Sequence, residues 1–213
     1  MRHTTHAHPT RSTLNTLAQL NVSDLLQGTM PYATPHCQQW PWHPVAVPDG
    51  LPVQQSWGWL FVPDGRCVVL IDTEDWHPLL PGGTIEQAAD GGDPAATLER
   101  EAAEEAQLAL ADPRHLGYVY DAEGAVYGGI GPCARVRMTA RVTRIGPAAP
   151  DPASGQLLLR LLAPAHQAVD LFGWGEHAHR QAETAERTAR EQWGLRFAPS
   201  PGISEIPAGG MRL

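Results

Sequence analysis

Lysine is absent from this chain: all 15 basic residues of the 213 are arginine. That excludes Schiff-base chemistry, a phosphate-loop lysine and a lysine general base together. Anion recognition is left to Arg, His and backbone N–H groups. Cysteine is scarce too. Cys37, Cys67 and Cys133 lie far apart, with no CxxC pair, which suits a reduced cytoplasm better than a disulfide framework. No apolar run approaches membrane-spanning length, and the opening "MRHTTHAHPTRS" has no apolar core of a signal segment, so no membrane partner is expected. Nor is positive charge in excess. A formal net charge of −8 argues against non-specific nucleic-acid binding by the whole chain.

What is present describes one globular core. Hydrophobic residues make up 42% and charged ones 18%, and the length suits one domain with a flanking extension. We read residues 1–45 as an N-terminal extension, 46–198 as the main domain and 199–213 as a tail. In the extension, His3, His6 and His8 belong to a frayed polar end. Leu14, Leu17, Leu20 and Leu25 form a helical stripe over 12–28 that is expected to pack on a neighbour, a second subunit of a homodimer. A Pro-rich link follows.

From Trp57 the pattern changes. "WGWLFVPDGRCVVLID" predicts strands over 57–62 and 66–72 about a Pro-Asp-Gly turn. A helix is expected over 94–110, with Asp93 as N-cap and Pro94 at the first helical position. "HLGYVYD" (115–121) reads as a strand. "ARVRMTARVTRI" (134–145) alternates, with Val136, Met138, Ala140 and Val142 on one face and Arg135, Arg137 and Arg141 on the other. "QLLLRLLA" (156–163) is a strand or a short buried helix. A last helix near 176–193 carries Ala178, Ala182, Ala185, Ala189 and Trp193 at helical spacing. Interleaved strands and helices predict one α/β domain on a mixed sheet.

The chemistry concentrates in the helix near 94–110. Residues three and four apart share a helical face, so Glu101, Glu104 and Glu105 project from one side. Their repulsion costs a few tenths of a kcal/mol per pair when exposed. Arg100 offsets Glu104 but not the cluster. A solvated acidic face is the simpler account of such a run. A hard divalent cation, which prefers carboxylate oxygen, is the sharper one.

The stretch from "LPGGTIE" through "REAAEEAQL" resembles the box GX5EX7REUXEEXGU of the Nudix hydrolase family. Arg100-Glu101 match RE, Ala102 the apolar position, Glu104-Glu105 the EE pair, Leu108 the last apolar position and Gly83 the leading glycine. Three departures accompany the match. The loop between Gly83 and Arg100 is three residues longer, the glutamate eight positions before the arginine is Gly92, and the glycine near the end is Gln107. Asp90 or Asp93 could replace the missing carboxylate, although Asp93 is also the expected cap.

The resemblance implies a Nudix-type α/β/α sandwich and a metal-dependent pyrophosphohydrolase, acting on a nucleoside diphosphate linked to another moiety. It implies that Glu101, Glu104 and Glu105 hold Mg²⁺ or Mn²⁺ with help from the Gly83 carbonyl. Glu101, or another carboxylate such as Glu104, would take the water proton, and Arg100 would orient the glutamates. A Nudix-like protein that binds a nucleotide without cleaving it is the second reading, favoured by the missing glutamate. Candidate substrate contacts are Trp76 for a base, His77 for phosphate, and the Arg135, Arg137, Arg141 stripe for phosphates bidentately. Part-buried packing for the tryptophan and an exposed strand face for the arginines explain them equally well.

Overall fold

A computed structural model of the chain describes residues 40–74, 76–124, 131–197 and 202–213, all within the unit Tyr32–Leu213. The leucine stripe over 12–28 and the N-terminal histidines lie outside the described residues. Strand β1 is Trp42–His43, β2 Val53–Phe61, β3 Cys67–Ile71, β4 Pro78–Leu79 and β5 Gly82–Thr84. Helices α1 (Gln87–Asp90) and α2 (Pro94–Ala106) follow, then β6 (Leu108–Asp121), β7 (Cys133–Ile145) and β8 (Leu159–Ala163). Helices α3 (Ala165–Phe172) and α4 (Glu176–Trp193) and strand β9 (Ser204–Glu205) complete the order.

The sheet runs β1-β6-β7-β2-β3-β8-β9, with β4 on β3 and β5 on β2. Only the β2–β7 pairing is parallel among the described ladders, so the sheet is mixed. Period-two alternation sorts its residues between two helical layers. Leu60 and Val62 on β2's line, with Val136, Met138 and Ala140 of β7, pack against Leu98, Ala102 and Ala106 of α2. The two alanines let the helix approach closely, and a side chain at Gly58 would run into Leu98. On the opposite face Trp59 meets Phe172 of α3 edge-on, and Arg137 donates to Gln181 of α4. The architecture is therefore an α/β/α sandwich on a mixed sheet, as the sequence predicts.

Several boundaries differ from the sequence reading, each for a physical reason. Helix α2 stops at Ala106 rather than 110, because Gln107 turns left-handed at φ 55°, ψ 39°. Leu108 then enters β6 opposite Ile145. That strand is twice the length expected, and it passes Asp112-Pro113 through a register shift between Ala111 and Arg114. The shift accommodates a proline with no N–H and a left-handed Asp112. Residues 156–163 resolve as a strand. Helix α3 was not expected: its eight residues are too few to show a period, and five of them are buried. Helix α4 matches its prediction.

The stretch read as a tail packs from 202 onward: Ser204 and Glu205 pair with β8, Met211 bridges Ile145, and Ile206 is buried in the core. At the other end, Trp42 and His43, read within the extension, pair with Val119 and Tyr118 of β6. No described helix is long and apolar enough to cross a membrane.

Candidate functional site

The acidic helix begins as its sequence demands. The Asp93 side chain accepts from the Ala95 N–H at 2.9 Å and Pro94 opens the first turn, so Asp93 is committed as the cap. About two turns later the helix passes over β5, where the glycine pair lies. The backbone around it requires glycine at the first position, and the Glu101 carboxylate occupies the space above the second. Gly82 has φ 146°, and a Cβ there would overlap the Ser56 carbonyl and the Trp57 backbone. A Cβ on Gly83 would collide with the Glu101 carboxylate. Glycine at both positions is what lets the carboxylates lie directly on the strand.

Arg100 is the hub of this face. Its Nε and Nη2 donate to Asp90 Oδ1 and Oδ2 at 2.9 and 3.0 Å, and Nη2 also reaches the Thr84 carbonyl at 2.9 Å. Nη1 donates to Glu104 Oε2 at 3.0 Å, and Nη2 lies 3.0 Å from Glu101 Oε1. Asp90 is buried and further accepts from Thr97 Oγ1 and the Glu86 N–H, each at 2.9 Å. The Arg100 guanidinium, against the cost of burial and with help from Glu86 and Thr97, holds the Asp90 carboxyl down at about 2. The same pairing raises Arg100 above its ordinary value. Asp90 thus anchors the arginine, while Asp93 caps the helix.

The glutamates divide. Glu104 turns to Arg100 and stays a third exposed. Glu101 and Glu105 face inward, toward a hollow of about 330 Å³ that Gly82, Gly83, Trp57, Asp72 and Asp151 also line. Burial pushes the Glu101 carboxyl up, opposed by Arg100 and reinforced by the negative charges of Glu104 and Asp151. Glu105 is pushed further, to about 8. Burial is the main cause; the Gly82 N–H, 3.0 Å from Oε2, works against it, and Glu101, Asp151 and Glu104 add to it. Among the described residues no cation pairs with Glu105, and no three His, Cys, Asp or Glu side chains converge as a ready-made cage.

The donor set nevertheless fits a hard divalent cation. Glu101, Glu105, Asp72 and Asp151 all open on one hollow, and Mg²⁺ needs only one or two carboxylates, completing its shell with water. Glu101, Glu105 and Gly83, three of the residues implied by the resemblance, are brought together here. Glu104 is held to one side by Arg100.

The substrate contacts expected from the sequence lie elsewhere. Arg135 is buried, 2.5 Å from Asp121 Oδ2, donates to Gln55 Oε1 at 2.6 Å and stacks over Trp40. Arg137 donates to Gln181 and lies over the Trp174 ring, and Arg141 pairs with Asp112. None of the three lines the hollow, and neither does Trp76 or His77. Trp57 does, half-buried, its Nε1 donating to Gln55 Oε1 at 3.1 Å. Asp151 offered no signal in the sequence: "PDPASG" reads as a turn. Its Oδ1 does accept from the Ala153 and Ser154 N–H groups in that turn, which also carries it to the hollow.

No family model matches the chain, and no curated protein sequence does. Solved structures do resemble it. They include a putative NUDIX hydrolase from Listeria monocytogenes (15% identity, TM-score 0.48, covering 65% of this chain and 95% of that one). A UDP-X diphosphatase is similar at 14% identity and TM-score 0.44, over 81% of this chain and 76% of that one. A pyrophosphohydrolase of Bacillus subtilis is similar at 15% identity and TM-score 0.41, over 50% of this chain. The chain spans 61% of that last protein's length.

Proposed function

We propose that the chain is a metal-dependent pyrophosphohydrolase of Nudix type, cleaving the diphosphate bond of a nucleoside diphosphate linked to another moiety in the cytoplasm. One observation carries the reading. The hollow is lined by Glu101, Glu105, Asp72 and Asp151 and, among the described residues, by no Arg or His. A polyphosphate cannot enter such a site unless divalent cations come with it. An acidic hollow with no cationic side chain suits a substrate whose phosphates arrive with a divalent cation.

Mg²⁺ or Mn²⁺ bound there would supply Lewis-acid polarisation of a phosphoryl oxygen and a more acidic water. The chain's own residues do the rest. Glu101 and Glu105 hold the cation, with Gly83 leaving them room beside the strand. Glu101, oriented by Arg100, takes the proton of the attacking water on a carboxylate oxygen; Glu104, bound to the same guanidinium, is the alternative acceptor. Arg100, itself fixed by Asp90 and the Thr84 carbonyl, sets the side-chain directions of Glu101 and Glu104 through charge-assisted bonds. Trp57 offers a flat face for a base.

The test is a panel of nucleoside diphosphate derivatives incubated with the chain, scored for two phosphorylated products. Turnover is expected with Mg²⁺ or Mn²⁺, to vanish with chelator and to return on adding metal back. Full turnover in metal-free buffer would overturn the reading. Metal-dependent binding with no cleavage of any compound would replace it with a nucleotide sensor.

A further inference from the structure

The left-handed residue that ends α2 is Gln107, where the box of the resembling family has glycine. Glycine adopts this backbone freely and glutamine does not. The side chain must therefore return something. Its Nε2 donates to the Glu104 carbonyl at 2.9 Å and to the Ala149 carbonyl at 3.1 Å, and its own carbonyl accepts from the Gly146 N–H at 2.9 Å. Two of those three bonds tie the helix end to the segment 146–158.

Beneath this junction lies Arg160 of β8, 2% exposed. Its Nη1 donates to the carbonyls of Ala106 and Gly146, at 2.9 and 3.0 Å, and to Gln107 Oε1 at 3.2 Å; Nη2 reaches the Pro207 carbonyl at 3.1 Å. All four acceptors are neutral oxygens, one of them at the negative end of the α2 dipole. A buried arginine spent on four neutral acceptors is costly, and burial lowers its proton affinity. The segment it clamps is the one that carries Asp151 to the hollow, facing Glu101 and Glu105. The like charges of Asp151 and Glu101 oppose the segment's seat against the helix when no cation lies between them.

We propose that Gln107 and Arg160 are positioning residues forming a latch, which holds the Asp151 segment against the carboxylate helix in the absence of a cation. The consequence for metal binding rests on the pyrophosphohydrolase reading; the latch itself does not. It keeps the oxygen donors of two separate elements close enough to be filled by one ion, so that binding does not first have to close the segment.

The test is Gln107→Gly in the full chain. If Gln107 were only a cap, glycine would relax the backbone and leave everything else as it was. The latch predicts a melting temperature that holds or rises while amide exchange over 147–156 accelerates at least about tenfold in metal-free buffer. Mn²⁺, measured directly by its spin resonance, should bind about tenfold more weakly, with kcat falling and KM little changed. Unchanged exchange and unchanged Mn²⁺ affinity would overturn the latch. If the wild type neither binds Mn²⁺ nor cleaves any substrate, the hydrolase reading fails while the exchange measurement still decides this one. Should glycine cost the fold, Gln107→Asn tolerates the same backbone, falls one methylene short of Ala149, and must give the same exchange result.

Discussion

The two faces of the central sheet both carry runs of charge, and they use it in opposite ways. On the α3–α4 side, the arginines of β7 are each spent: Arg135 on Asp121 and Gln55, Arg137 on Gln181 and the Trp174 ring, Arg141 on Asp112. On the α2 side a single guanidinium, Arg100, serves Asp90, Glu101 and Glu104, and Glu105 is left with one backbone N–H. Buried charge that is fully paired holds a fold together, and costs much to break. A buried carboxyl left without a cationic partner is pushed toward its neutral form, and takes up its charge fully only when a cation arrives. Periodic charge in a sequence does not distinguish the two; the partners do.

The largest effect is therefore expected where pairing is complete. Asp121→Asn removes the partner of a buried arginine and weakens the acceptor for the Glu123 and Gly124 N–H groups. Burial opposes the Asp121 charge, but Arg135 and these amides hold its carboxyl below the ordinary range. Leaving Arg135 buried and unpaired should cost about 3–5 kcal/mol of stability, measured by urea unfolding. A loss under about 1 kcal/mol would show that this face is not a structural pair network.

The opposite signature is expected of Glu105→Gln. Removing one carboxylate of the hollow should slow turnover at least about a hundredfold, while urea unfolding near neutral pH shows no loss of stability, since burial already disfavours the charge of this carboxyl and the amide carries none. Glu99→Gln, exposed on the far side of the same helix, should change neither quantity. Equal turnover for both variants would remove the helix from the reaction and with it the contrast between the faces.

Asp90 joins the two behaviours, being a paired structural charge within the functional face. Its carboxyl titrates at about 2 in the fold against 3.8 free, so the unfolded chain binds more protons between those values. Its contribution is fully present above about pH 4 and is lost as pH falls toward 2. Asp90→Asn should cost about 2–3 kcal/mol at neutral pH, and the variant and wild-type curves should converge at the acid end. A constant offset across the whole range would mean that Arg100 is anchored by something other than this charge.

How much of this was legible in the sequence follows the same division. The acidic helix, its cap and the glycine pair depend on local spacing, and Asp93, Pro94, Gly82 and Gly83 sit as their chemistry requires. The alternation of β7 put Val136 and Met138 on one face correctly, because a strand's faces follow from period two alone, and the fold adds that this face packs on α2. What that alternation could not say was where Arg135 and Arg137 would find partners, since Asp121 lies across the ladder on β6 and Gln181 comes from the distant α4. The insertion that displaced the box glutamate looked like a loss. Only the fold brings Asp90 back to Arg100, through a four-residue helix too short to leave a pattern. Asp151 was hidden for the same reason, in a turn whose sequence explains itself without the hollow.

The smallest effect concerns the base platform, and it compares two tryptophans. Trp76 precedes the glycine pair in sequence, yet it does not line the hollow; Trp57 does, with its indole N–H held by Gln55, which Arg135 holds in turn. Stacking of a base on an aromatic side chain is worth about 1–3 kcal/mol. Because the base is remote from the bond that breaks, this interaction is the same in the ground and transition states and should enter KM alone. Trp57→Ala should raise KM about tenfold or more for a nucleoside diphosphate derivative with kcat within about a factor of two, and Trp57→Phe should recover most of the loss. Trp76→Ala should leave KM unchanged. A compound with no base, such as a sugar diphosphate, should be handled equally by wild type and Trp57→Ala. If instead Trp76→Ala raises KM and Trp57→Ala does not, the substrate lies across the other side of the glycine pair, and the hollow holds only the metal.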